Sequence, residues 1–119
     1  MTSPDSKKFI VMYLIPTAVM DDWKKIDPEK RKAEEEKLMA EWSAWTKDHA
    51  GMILDTNAGG KTRLVTASGV SDFRNDIVLY SIVEAASHEE AAKSFENHPH
   101  LQIPQSSIQV MEIRPMGGM

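Results

Sequence analysis

Two histidines flank a proline near the C-terminal end of the chain, in Glu96-Asn97-His98-Pro99-His100-Leu101. Imidazole titrates near neutral pH, so a histidine at the mouth of a cavity can hold or transfer a proton. His98 is therefore the candidate acid/base, with His100 as a candidate lining residue. A plainer role competes with this one: His98 at the end of a helix, where positive charge is favourable, and Pro99 stopping that helix. The two readings weigh equally for His98, and the rigid turn is favoured for His100. Tyr13 and Tyr80 lie inside apolar runs. A buried tyrosine hydroxyl needs a partner, and a cavity would supply one. Trp23 stands in a polar stretch and is expected in a loop over the rim of that cavity. Asp55, Arg63 and Glu112 are charged residues within strand-like runs. Facing a cavity, one of them would anchor or deprotonate a ligand; a solvated edge or an intersubunit salt bridge is the commoner fate of each. Trp42 and Trp45 are expected in the core.

Other chemistries are set aside by composition. The chain has no cysteine, which excludes disulfides, thiolate nucleophiles and cysteine zinc sites. Two histidines two residues apart lack further ligands, so neither a metal nor a cofactor is expected. Gly59-Gly60-Lys61-Thr62 resembles the end of a phosphate-binding loop. However, Asp55 occupies the place of its first glycine, and a strand-like run follows instead of a helix. His88-Glu89-Glu90 lacks the second histidine of a zinc helix. The formal net charge of -4 argues against nucleic acid or an anionic membrane as partner. The apolar run from Phe9 to Ile15 is too short to cross a bilayer, and no cleavage site follows it. The cytoplasm is the default location.

The elements that must position these residues follow from pattern. The length suits one domain, residues 1–119, with 1–7 and 117–119 as flexible tails. Phe9 to Ile15 is apolar at every position and predicts a central strand covered on both faces. Asp27-Pro28-Glu29 predicts a helix start, with a capping acid and proline at the first position. That helix should run to about His49, stop at Gly51, and bury Leu38, Trp42, Trp45 and His49 on one face. Met52 to Thr56 is a strand, and Thr62 to Thr66 an arm pairing back on it as a hairpin. Ala67 to Asp76 is expected as loop, and Ile77 to Glu84 as a second two-faced apolar strand. Ser87 with Glu90 forms a capping box opening a helix to about Asn97. Ser107 to Ile113 is the last strand.

The order strand, helix, strand, strand, helix, strand predicts an α+β, ferredoxin-like βαββαβ subunit. Its four-stranded antiparallel sheet would place the first and last long strands side by side in the middle. Both helices would then lie on one face, although the strands are apolar on two. A bare apolar face of that size exceeds what soluble monomers usually expose. A homodimer, sheet against sheet around an enclosed space, is the expected remedy.

The run from Asn75 through Ile77-Val78-Leu79-Tyr80-Ser81-Ile82-Val83-Glu84 to Ala92 resembles the YCII-related family of the dimeric α/β barrel superfamily. Asn97-His98-Pro99-His100-Leu101 and Ile108 to Met116 share in that resemblance. It covers roughly residues 8–116 and implies the ferredoxin-like subunit and the dimeric α/β barrel. Members nearest the name-giving type carry a proposed dyad of a first-helix histidine and an aspartate before the later proline. The matching positions here are Ala40 and His98, so the dyad does not carry over. The family includes a dehalogenating lactone enzyme and members with no assigned activity; the His-Pro-His-Leu form resembles the latter. The expectation is a homodimer binding a small organic molecule in its barrel cavity. As a cofactor-independent enzyme on a cyclic or aromatic metabolite, it would use His98 as acid/base and Tyr13 or Asp55 as orienting groups. The alternative is a non-catalytic ligand-sensing or interaction module on the same scaffold.

Overall fold

The protein's structure, a computed structural model, describes residues 6–117. Of the expected tails, residues 1–5 and 118–119 lie outside the described residues, and Lys7 already opens the first strand. The elements are β1 (Lys7–Leu14), α1 (Thr17–Lys24), α2 (Pro28–Asp48), β2 (Ile53–Ala58), β3 (Thr62–Thr66) and β4 (Gly69–Phe73). They continue with β5 (Ile77–Ala85), α3 (His88–Lys93), a 3₁₀ turn (Pro99–Gln102) and β6 (Ser107–Glu112).

The protein is an α+β fold built on a four-stranded antiparallel sheet in the order β2-β5-β1-β6, with β3 and β4 forming a separate hairpin. Of the first, third and last long strands, all expected to be apolar on both faces, β1 and β5 are the central pair. β6 does lie beside β1, but at an edge and not in the middle as expected. Its exposure alternates along the strand, as suits a strand with one covered face.

The hairpin also departs from expectation. Thr62 to Thr66 does not pair back on β2; it pairs with Gly69–Phe73, inside the stretch expected to be loop. Three things hid β4: it is short, Ser71 and Asp72 dilute its apolar content, and it is exposed throughout. Gly69, at φ 126°, supplies the left-handed turn residue. Where the chain leaves β2, the Gly59 N–H donates to the Val78 carbonyl at 2.8 Å. A Cβ at Gly59 would stand 3.3 Å from that same oxygen, so the close approach favours glycine.

One face of the sheet is covered. Phe9, Val11 and Tyr13 of β1 and Ser81 and Val83 of β5 are buried there with Trp45 of α2, Ala91 of α3 and Phe95. Each large apolar side chain in this set contributes about 1.5–3 kcal/mol by leaving water. Pro28 opens α2, although Asp27 makes no side-chain cap bond. Ser87 does cap α3, accepting from the Glu90 N–H at 3.1 Å.

The opposite face carries the alternate residues. Two rows can be read from the ladder register: Asp55, Ile82, Ile10 and Met111, then Asn57, Tyr80, Met12 and Gln109. None of the eight is fully buried, and Met111 is 54% exposed.

Candidate functional site

Two polar clusters lie on opposite sides of the sheet. The first is on the helix-covered face, buried at Tyr13 and Ser81 and exposed at Thr56. The Tyr13 hydroxyl lies 2.9 Å from Ser81 Oγ, and Thr56 Oγ1 is 2.8 Å from the same oxygen. Burial raises the Tyr13 pKa, and the Ser81 hydrogen bond only partly opposes this. Tyr13 thus meets its partner inside the subunit, on the helix-covered face, instead of in an open cavity.

His98 and His100 close this cluster. His98 caps the 3₁₀ turn: its Nδ1 accepts the His100 backbone N–H at 3.0 Å. Nδ1 therefore carries no proton, and the neutral ring holds its hydrogen on Nε2. That Nε2 has no polar partner. The ring is packed between Trp42 and Trp45, at centroid distances of 4.3 and 4.4 Å and interplanar angles of 84° and 64°. Steep edge-to-face packing offers an aromatic surface in place of an oxygen. His100 Nε2 bonds the Leu14 carbonyl at 3.0 Å and so donates, pinning the turn to the end of β1. Its Nδ1 has no partner.

Burial lowers the His98 pKa to about 4, and the charges of His100 and His49 push the same way. His100 is also lowered by burial, against the pull of the Leu14 and Ser107 carbonyls. At 1% and 0% exposure the two rings stand in the core, not at a cavity mouth. The sequence places Trp42 and Trp45 in the core, and there they enclose His98.

The second cluster is on the open face. Asn57 Nδ2 donates to Asp55 Oδ2 at 2.8 Å and lies 3.4 Å from the Tyr80 hydroxyl. A bulge in β2 puts Asp55 there. Ile53 faces Val83, but Asp55 faces Ile82, so two steps along β2 match one along β5. Regular pairing would have set Asp55 opposite buried Ser81. The bulge instead turns Asp55 and Asn57 outward and Thr56 inward to Ser81. Ile82, Ile10, Met12 and Met111 lie beside the polar group. A carboxylate that only accepts, an amide and a phenol bordering an apolar strip can orient a small ligand with an apolar body and a hydroxyl or amine.

The remaining candidates are elsewhere. Trp23 belongs to α1 and not to a loop, and its Nε1 donates to Glu35 of α2 at 3.1 Å. Arg63 pairs with Asp72 across the hairpin at 3.2 Å, and Glu112 lies 3.4 Å from His88 Nδ1. A groove of about 290 Å³ between α3 and β6 is lined by Phe95, Glu96, Leu101 and Ile108 among others. A wider depression of about 550 Å³ wraps β6 and reaches Met12, Gln109 and Met111 of the open face. His98 lines neither.

Neither the protein-family models nor the curated proteins contain a match to this chain. Among the described residues no group of three or more histidines, aspartates or glutamates is placed to hold a metal ion. No described helix is long and apolar enough to cross a membrane.

Sequence reasoning missed Asn57, which lies beyond the expected strand end at Thr56, and the inward Thr56, because period-two alternation from Ile53 points both the wrong way. Ser81 was the available signal. It is the one small hydroxyl in an otherwise apolar run, and it sits two strand positions from Val83 on the covered face.

Proposed function

We propose that this protein is a small-molecule-binding homodimer of the YCII-related, dimeric α/β barrel type. In this reading the open sheet faces of two copies enclose the ligand. The observation that carries it is the open face itself: an apolar strip of Ile10, Met12, Ile82 and Met111 beside Asp55, Asn57 and Tyr80. Such a mixture suits a ligand pocket, which is mostly apolar with a few placed polar groups. The strand order β2-β5-β1-β6 supports the ferredoxin-like subunit on which the dimer rests.

Asp55, steadied by Asn57, is the hydrogen-bond acceptor for the ligand, and the Tyr80 hydroxyl is the second contact. His98 serves the fold: its ring is neutral and separated from the open face by the sheet. That favours a binding or sensing role over an acid/base enzyme working through His98. Sedimentation equilibrium should show a dimer, and Ile82→Asp, which sets a carboxylate in the centre of the strip, should dissociate it. A thermal-shift screen of small cyclic and aromatic hydroxy compounds should yield ligands whose shift is lost in Asp55→Ala. A monomeric wild type, or hits indifferent to Asp55, would count against the reading.

A further inference from the structure

We propose that the β3–β4 hairpin is a dimer arm whose apolar tip packs on the second copy of the chain. This rests on the reading of the open face as a surface for that copy.

Val65 and Val70 are directly paired across the ladder, and they are 73% and 64% exposed. Leu64 and Phe73, on the hairpin's other side, are also exposed. The ladder pairs β3 and β4 only with each other. At the root, Arg74 holds Asp21 at 2.8 Å and the Thr17 carbonyl at 3.4 Å, and Asn75 Nδ2 reaches Thr62 at 3.5 Å. The base is therefore fixed while the tip is bare. A lone two-stranded hairpin is marginal in water, and four large apolar side chains on it ask for a partner.

Shape and area point to a second copy. The radius of gyration is 16.6 Å, against about 13–14 Å for a compact chain of this length. The protein fits a plate of 49 × 45 × 19 Å. A two-layer body already takes up most of that thickness, so the hairpin extends the plate sideways and does not stand above it. In this reading one of its two faces continues the broad side that the open sheet face occupies. Four strands with four to five rungs give that face a footprint of roughly 19 by 17 Å, on the order of 300 Å². A stable dimer takes about 800 Å² from each partner. The hairpin, roughly 17 Å long, is the adjoining apolar surface that brings the contact toward that size.

The chain has no cysteine, so Ala67→Cys in the hairpin turn gives a unique attachment point for a benzophenone photocrosslinker. Equal amounts of ¹⁴N- and ¹⁵N-labelled protein are allowed to exchange and are then irradiated. Mixed-isotope adducts are expected. Val65→Ser/Val70→Ser should weaken the dimer at least tenfold in sedimentation equilibrium with an unchanged far-UV spectrum. A dimer with only same-chain adducts and an unaltered dissociation constant would overturn the arm and leave the sheet-to-sheet reading in place. A monomeric wild type would overturn both. Mixed adducts remain informative if the double variant fails to fold.

Discussion

Acid should destabilise this protein through His98. The folded ring stays neutral down to about 4, against about 6.5 in the unfolded chain. Between those two values the unfolded chain binds a proton that the fold refuses. Stability therefore rises with pH across this window and is lost on acidification, by up to about 3 kcal/mol for His98 alone. His100, lowered by burial as well, adds to the loss in the same direction. The groups that act on the His98 ring are His49, His100 and Tyr13 at 5.3 Å, and no carboxylate is among them to hold an imidazolium. The assay is urea unfolding by circular dichroism at pH 7, 6, 5 and 4.5, at one fixed protein concentration because any self-association shifts the midpoint. His98→Asn is the control: Asn Oδ1 can accept the His100 N–H as Nδ1 does, and it does not titrate. The wild type should lose stability steadily below pH 6.5, and the variant should lose distinctly less. Equal slopes, or an NMR titration placing the His98 midpoint at 6 or above, would refute the reasoning.

The interior polar chain can be tested by a double-mutant cycle. Ser81→Ala leaves the buried Tyr13 hydroxyl without its partner and should cost about 1–3 kcal/mol. Tyr13→Phe in that background should recover part of the loss in chemical denaturation. Ser87→Ala removes the α3 cap and should cost about 1 kcal/mol, with faster amide exchange confined to the first turn of that helix.

The covered side of the fold was legible where pattern and chemistry agreed. Pro28 and the Ser87/Glu90 pair mark helix starts that the structure contains, and the unbroken apolar run from Phe9 identifies β1 as central, whereas β5 and not the last strand is its central neighbour. What could not be read is set by long-range pairing. Whether Thr62 to Thr66 joins β2 or β4 is decided by tertiary contacts, and both choices satisfy its alternation. The place of His98 was equally hidden. Its local sequence is that of a turn, and only the packing of α2 against that turn buries it between two indoles. Asp55 and Tyr80 could be named as cavity candidates, but not Asn57 between them, because a bulge reverses the strand's phase.

That bulge has a consequence for engineering. Leu54 is half-exposed spare length, a residue without a rung of its own. Excising it would leave every later rung of β2 facing as it does now. Inserting a second residue, with the bulge still absorbing only one, would reverse them, turning the Asp55 carboxylate to the helix-covered face and Thr56 to the open one. No point substitution can make that exchange. The side of the sheet on which this carboxylate stands is therefore governed by how many residues the bulge absorbs before it.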